Sequence, residues 1–497
     1  MVSPIARSGS ASAADDASRG SAIKLGAELA GRVLALATTL LVARVLGVAD
    51  FGLFAVLSGI AVIVAELSDL GLQGIAVQAL VSGSLPLSAL VRAKARLTVG
   101  LLLAAAAAAA LPQVLSWSTA LAPEAWRAPW DAALRRVPML FPLIVYSAAA
   151  SWTELLGIAL RVRGRRRLEA TTIVSFRAFG LVLVAAALLS GTGLRGLVWA
   201  FALSALFALA LAIVFLRASA LGEDRVPGID PGIGRTLKAS APLAVNGMLA
   251  ILSLRIELLA LALFGGSRET GLFAAALKVV ELMNVIPAAV AAGAMPALTR
   301  EAAQGTDPVR RRTAATAALL AAPAAAGLIL VAPGIVSMLG DGYAGAATPL
   351  RVLAPALLAL FMNTVLLHAL IAAGRARRLP LLTAARVAAA TALAFVLIPR
   401  WGATGAAAGF LLAEVMLLVL ASRSCAGAGL EVPVARSLLA AAGVTLPMAA
   451  AVAVAGAGTI ASVLVGVLTY ALTLAVARRL APRLIPGLAP EAAPGGP

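Results

Sequence analysis

The chain has 497 residues, of which 62% are apolar and only 12% are charged, and its formal net charge is +18. So few polar groups cannot cover a water-soluble protein of this length, and the composition therefore indicates a protein that crosses a membrane many times. With one cysteine, one histidine and no lysine followed by Ser or Thr, the sequence excludes a disulfide framework, the common zinc sites and a Walker A loop. The positive charge is expected to face anionic lipid rather than nucleic acid. No cofactor, metal site or catalytic residue is predicted.

Fourteen apolar stretches are long enough to cross a bilayer, which takes about 20 residues each. In chain order the predicted spans lie at 25–46, 53–80, 97–115, 137–160, 169–190, 194–216, 237–264, 271–298, 313–335, 349–373, 379–398, 402–421, 434–455 and 459–477. Small polar residues dominate segment 1–22, and Pro and Gly dominate segment 481–497, so both are predicted to be disordered cytoplasmic tails. The fold class is an all-α polytopic membrane protein.

Lysine and arginine are distributed unevenly between the two sides of this predicted topology. With the N-terminus inside, the cytoplasmic segments carry 27 Lys and Arg residues and the opposite loops carry 7. Lys94 is counted among the cytoplasmic cations, together with Arg92 and Arg96. Such an excess is typical of loops that stay in the cytoplasm. Both termini are therefore predicted to be cytoplasmic, which agrees with an even number of spans.

The chain contains an internal repeat. The motif Gly47-x-x-Asp50-x-Gly52-Leu-Phe-Ala returns as Gly266-x-x-Glu269-x-Gly271-Leu-Phe-Ala, 219 residues later. Two further matches follow in the same order, after spans 4 and 10 and at the start of spans 6 and 12. A repeat unit of six spans enters the membrane from the same side each time, which predicts two parallel lobes with a cleft between them.

The repeat sets the predicted domain organisation. After the tail come an N-lobe of six spans, a cytoplasmic linker, a C-lobe of six spans and two additional spans, at 23–218, 219–236, 237–421 and 434–477.

Two stretches resemble a known family. LVARVLGVADFGLFAVLSGIAVIVAELSDLGL, at 41–72, and LGDGYAGAATPLRVLAPALLALFMNTVLLHALIAAGRAR, at 339–377, resemble the polysaccharide-transporter (Wzx-type flippase) branch of the MOP superfamily. The resemblance implies a two-lobed, MATE-like helical fold in a bacterial plasma membrane. It also implies translocation of undecaprenyl-diphosphate-linked oligosaccharide from the cytoplasmic to the outer leaflet, for O-antigen, capsule, exopolysaccharide or wall glycan assembly. MurJ-like lipid II flippases and MATE-type organic-cation antiporters belong to the same superfamily and stay open as alternatives.

The same resemblance implies which ligands and protein partners the chain binds. The lipid-linked oligosaccharide and membrane lipids are the expected ligands, and a polysaccharide polymerase and glycosyltransferases are the expected protein partners.

An enzyme of the glycosyltransferase, polymerase or ligase class would need a large outer loop with acidic groups. The longest outer loop, at about 116–136, has only Glu124 and Asp131. The chain is therefore predicted not to be an enzyme.

Charged residues inside the spans are costly and usually functional. In the resembled family, spans 1, 2, 7 and 8 border the central cleft. Arg32, Arg255 and Lys278 in these spans are predicted to contact the diphosphate, because fixed guanidinium and ammonium groups replace part of its hydration. Four carboxylates in the same spans are predicted cleft or ion-coupling groups, namely Glu66, Asp69, Glu257 and Glu281.

The alternative to a cleft function is local charge pairing. Glu28 with Arg32, and Lys278 with Glu281, have the spacing of pairs on one helix face. Structural roles are predicted for the ionisable residues of the other spans, and incidental or core roles for the single histidine and cysteine. These residues are Glu154, Arg177, Arg386 and Glu414, and His368 and Cys425, the last placed in a cytoplasmic loop.

Overall fold

The computed structural model describes residues 5–82, 85–114, 136–219, 233–456 and 458–480. Within these ranges the chain forms α-helices joined by short turns and 3-10 segments, without strands. In chain order the helices are α1 (Ile5–Asp69), α2 (Leu72–Ser82), α3 (Leu87–Val114), α4 (Leu140–Val162), α5 (Arg166–Leu189), α6 (Gly193–Ser219), α7 (Ile233–Phe264), α8 (Gly266–Met283), α9 (Val285–Gln304), α10 (Pro308–Ser337), α11 (Ala347–Leu353), α12 (Ala356–Ala372), α13 (Leu379–Ala426), α14 (Val434–Ala455) and α15 (Thr459–Leu480).

The helices account for the predicted spans. Eleven helical stretches in the described residues are long and apolar enough to cross a membrane, and the pair Asp341–Leu353 and Ala356–Ala372, bent by 48°, adds a twelfth. Two of the eleven, Gly26–Leu67 and Ala376–Ala426, have 42 and 51 residues, about twice the length that a bilayer needs. Each is interrupted by one glycine with non-helical backbone angles, Gly47 or Gly402. The described residues thus hold eleven or twelve candidate spans, or fourteen, the predicted number, when these two stretches are divided at their glycines. The all-α polytopic fold is confirmed.

Helix boundaries differ from the sequence prediction in two places. Helix α1 begins at Ile5, so residues 5–22, predicted to be disordered, are helical, since this stretch is rich in alanine and lacks proline. The predicted second span is interrupted at Leu70 and Gly71, whose φ angles are 41° and 74°. The Asp69 carboxylate accepts a hydrogen bond from the backbone N–H of Gln73 at 3.2 Å and so caps α2. The tail 481–497, most of the linker and nearly all of loop 116–136 lie outside the described residues.

The chain divides into two compact units. Unit 1 comprises Met1–Leu46 and Leu57–Ile251, and unit 2 comprises Gly47–Val56 and Leu252–Pro497. The predicted lobe boundaries and the arrangement of six, six and two spans stay predictions.

Alanine-rich helix faces form the core of unit 1. Helices α4 and α5 both pack against α6, where Ala202, Ala205, Ala208 and Ala212 are completely buried. Such small side chains let helix backbones approach closely, which is how membrane helices gain contact without a hydrophobic driving force.

Unit 2 is built in the same way around α10, which packs against α12 and α14. A second core lies where α12 meets the end of α13 and includes Leu366, Leu370 and Cys425. Cys425 is thus not in a loop as predicted. It is buried at the end of α13, with its Sγ atom 3.6 Å from the Leu366 carbonyl oxygen.

The two copies of the repeated glycine motif meet inside unit 2. A Cβ atom on Gly52 would lie 2.6 Å from the Gly271 nitrogen, and one on Gly271 would collide with the Val48 carbonyl. Beside them, Phe51 contacts Tyr343 edge-on, with ring centroids 6.0 Å apart. The glycines are therefore needed for a backbone-to-backbone contact that a side chain would prevent.

The acidic residue of the second motif caps a helix. A Glu269 carboxylate oxygen accepts a hydrogen bond from the backbone N–H of Ala403 at 2.8 Å, where α13 resumes after Gly402. We expect Glu269→Ala to lower the free energy of unfolding by about 1 kcal/mol, as loss of a cap does elsewhere. The measurement is the thermal unfolding midpoint in detergent. Asp50→Ala removes the exposed counterpart in the first motif, and an equal effect of the two variants would contradict the capping role.

Candidate functional site

Two of the predicted diphosphate contacts lie side by side in unit 2. The Arg255 guanidinium on α7 donates from Nη1 to Oε1 of Glu281 at 3.0 Å. Lys278 on α8 donates from Nζ to Oε2 of the same carboxylate at 2.6 Å. We call these three residues the bridged cation pair.

The bridged cation pair is partly open and carries a net positive charge. The exposed fractions of the three side chains are 23% for Arg255, 39% for Lys278 and 22% for Glu281. Two cations share one carboxylate, so one positive charge is left without a counterpart inside the cluster. A half-open group of this kind can recognise an anion, and the guanidinium can do so with two parallel hydrogen bonds.

A second charged cluster is buried in the core of unit 2 around Arg386, on α13. Its Nε atom donates to Glu414 Oε1 at 2.7 Å and its Nη2 atom to Glu257 Oε1 at 3.3 Å. Nη1 donates to the Ser253 carbonyl oxygen. The guanidinium also lies 4.9 Å from the centre of the Phe410 ring.

Glu257 therefore lies in the core. Its side chain and that of Arg386 are each 1% exposed. Ser253 and Glu257 are one turn apart and share the face of α7 that meets Arg386, whereas Arg255 lies on another face and meets Glu281. The sequence predicts that Glu257 points away from Arg255 but contains no signal for its partner, 129 residues further along the chain.

Unit 1 has a buried polar cluster around Lys94, which lies within α3. The Nζ atom donates to Asp69 Oδ1 and, at 2.8 Å, to Ser151 Oγ. The Gln73 amide donates to the same Ser151 hydroxyl at 2.9 Å. Lys94 is fully buried within α3, so it does not lie in a loop between predicted spans, whereas its predicted cytoplasmic side stays a prediction. Asp69, a predicted cleft or ion-coupling group, accepts from this lysine.

The remaining predicted site residues of unit 1 lie on α1. Arg32 is exposed, and its predicted pairing with Glu28 stays a prediction. Glu66 is partly buried, and its Oε1 atom lies so close to Gly247 that a Cβ atom there would be 2.8 Å away. In the described part of the chain, no group of three or more His, Cys, Asp or Glu side chains could hold a metal ion. The described clusters themselves consist of ion pairs, and the partly open one in unit 2 can recognise an anion.

Solved structures with a similar fold are membrane transporters. The lipid II flippase MurJ, in an inward closed conformation, matches with a TM-score of 0.70 and 12% identity over 91% of this chain and 98% of that chain. An inward-facing multidrug resistance MATE family transporter of the MOP superfamily matches with a TM-score of 0.57 and 16% identity, over 80% and 94%. A eukaryotic MATE transporter has a TM-score of 0.56 and 14% identity, over 86% and 98%. At these identities the likeness concerns the fold.

A comparison with curated proteins gives no match. A comparison with models of protein families does give one. The model described as polysaccharide biosynthesis protein matches residues 41–348, more than half of the chain. This match and the MOP-type fold confirm the resemblance found in the motifs, and they are features of transporters and flippases rather than enzymes. The chain is a multi-pass membrane protein that belongs to the polysaccharide biosynthesis protein family and has the fold of MOP superfamily transporters.

Proposed function

We propose that the protein is a flippase that carries an undecaprenyl-diphosphate-linked oligosaccharide from the cytoplasmic to the outer leaflet of a bacterial plasma membrane. The observation that carries the proposal is the bridged cation pair, a net positive group on membrane helices of a chain in the polysaccharide biosynthesis family. Both termini face the cytoplasm in this proposal. A polysaccharide polymerase and glycosyltransferases would act on the two sides of the transport step.

The chemistry of the substrate explains the need for cations. A diphosphate carries at least two negative charges, which are costly to move into a region of low dielectric constant. Arg255 offers a planar fork that can bind two phosphate oxygens, and Lys278 offers a compact charge. Arg32, exposed on α1 in unit 1, is proposed as a further diphosphate contact. Alternating access of two lobes would then transfer the headgroup between leaflets while the polyprenyl tail stays in lipid.

The carboxylates argue against transport of an organic cation. A MATE-type pocket needs acidic or aromatic groups that are available to the cation. Asp69 already accepts from Lys94, and Glu257 accepts from Arg386. Glu281 accepts from Arg255 and Lys278. Glu66 alone among the four predicted carboxylates keeps a coupling role in the proposal. The likeness to MurJ favours a lipid II flippase as the second candidate, because that substrate also has a diphosphate headgroup.

A flipping assay tests the proposal. Proteoliposomes would contain the purified protein and a fluorescent undecaprenyl-diphosphate oligosaccharide, and a membrane-impermeant quencher would report the label that reaches the outer face. We expect Arg32→Ala/Lys278→Ala to slow exposure of the label at least tenfold, because each residue interacts with the diphosphate by a charge-assisted contact of about 1 kcal/mol or more. Arg375→Ala/Arg377→Ala removes two exposed arginines and serves as the matched control.

The other possible results of the flipping assay lead to different conclusions about the substrate and its contacts. Equal rates in both double variants would keep translocation but contradict the assigned contacts. Exposure no faster than in empty liposomes would overturn the oligosaccharide flippase. In that case, flipping of labelled lipid II would support the MurJ-like function, and uptake of an organic cation under an ion gradient would support the MATE-like one.

A further inference from the structure

Glu281 accepts hydrogen bonds from two of the cations proposed to bind the headgroup. Each of its carboxylate oxygens accepts from a different cation, Oε1 from Arg255 and Oε2 from Lys278. A phosphate group presents two oxygens with a similar spacing, so it can take the place of this carboxylate on the same two donors. The two anions cannot occupy the donors together, because like charges at hydrogen-bonding distance repel strongly.

We infer that Glu281 is a built-in competitor of the substrate, a counter-anion that the diphosphate displaces on binding and that returns to the cations on release. This inference rests on the proposed function, whose headgroup site it shares. Without Glu281, departure of the diphosphate would leave two partly buried cations without an anion, which is costly. With Glu281, release exchanges one anion for another. The residue thereby weakens binding and speeds release.

The position of Glu281 suits a group that moves. It lies in the last turn of α8, which ends at Met283 before α9 begins at Val285. A carboxylate near a helix C-terminus is disfavoured by the helix dipole, so the two cations hold it there. Its side chain is partly exposed, so it is not held on every side by packed neighbours.

The competition between Glu281 and a bound anion is measured as a change in the affinity for that anion. Isothermal titration calorimetry would follow inorganic pyrophosphate binding to the full-length protein in detergent. We expect Glu281→Gln to bind pyrophosphate about tenfold more tightly than the wild type, because the amide is neutral and no longer competes. Glu431→Gln removes the same charge at an exposed position of unit 2 and is the matched control.

The flipping rate supplies a second readout. In the proteoliposome assay, Glu281→Gln is expected to slow exposure of the label about fivefold although it binds the anion more tightly, because release becomes slower. A residue that only positions Arg255 and Lys278 would instead lose affinity on substitution. Should Glu281→Gln fail to fold, Glu281→Asp keeps the charge on a side chain that is one methylene shorter, which draws the carboxylate back from the two donors, and is expected to give a smaller gain in affinity.

The outcomes separate this inference from the proposed function. Unchanged or weaker pyrophosphate binding by both Glu281 variants, with normal wild-type flipping, would overturn the competitor role alone. Tighter binding without any flipping of the labelled oligosaccharide would support the anion exchange and contradict the proposed substrate. Absence of pyrophosphate binding by the wild type and by both variants would overturn the competitor role and the assigned contacts together.

Discussion

Substitution of Arg386 by alanine is expected to lower the stability of unit 2 by about 3–5 kcal/mol, the usual cost of breaking a buried ion pair from one side. The guanidinium forms ion pairs with both Glu257 and Glu414 in the core, and all three side chains are at most 4% exposed. One oxygen of Glu257 already lacks a hydrogen-bond partner among the described residues. Removal of the arginine leaves two buried carboxylates without their cation, where neither water nor lipid can solvate them.

The measurement is thermal unfolding of the purified variant in detergent. Arg400→Ala is the matched control, because Arg400 is an exposed arginine on the same helix. A triple variant, Arg386→Leu/Glu257→Leu/Glu414→Leu, replaces all three charges by apolar groups and is expected to recover most of the loss. Equal unfolding midpoints for Arg386→Ala and Arg400→Ala would show that the cluster does not stabilise the fold.

Substitution of Gly271 by alanine is expected to cost about 2–3 kcal/mol, as overpacking a close contact does. The added Cβ atom would collide with the Val48 carbonyl, which belongs to the backbone and cannot rotate away as a side chain can. The contact between the two repeated motifs would therefore have to separate.

A helical glycine elsewhere in unit 2 provides the control for Gly271. A Cβ atom on Gly293, within α9, would meet nothing within 4 Å. Gly293→Ala is expected to be neutral or stabilising by about 0.5–1 kcal/mol, because alanine is the better helix former. The two variants would be compared by thermal unfolding in detergent. Similar midpoints would rule out the close packing of Gly271 as a source of stability.

The family could be inferred from local sequence because its signals are local. Bilayer thickness sets the length of each apolar run, and so the composition and the run lengths predict the spans without any tertiary information. The repeated motif also has a local cause, because its glycines lie where two backbones touch. The same local signals missed the helix over residues 5–22 and the break at Leu70 and Gly71. Residues 5–22 have no apolar pattern that marks a helix, and the break at Leu70 and Gly71 lies within one predicted span.

The partners of the charged residues are predictable from local sequence only when they lie on the same helix. The pair Lys278 and Glu281 is predictable because residues three apart share a helix face. Arg255 joins them from another helix, and Arg386 reaches Glu257 from 129 residues away. The span boundaries place Lys94 between two spans, together with Arg92 and Arg96, whereas its side chain is buried in unit 1.

The sequence alone determined that this is a many-span, all-α membrane protein of one family, and it identified most of the charges within the predicted spans. Only the tertiary structure decided which charges pair in a core and which form the partly open group of Arg255, Lys278 and Glu281. The physical reason is that an ion pair between helices depends on how each helix is rotated and packed. Helix rotation results from many small side-chain contacts, such as those along the alanine-rich faces of α6 and α10, and no single stretch of sequence records it.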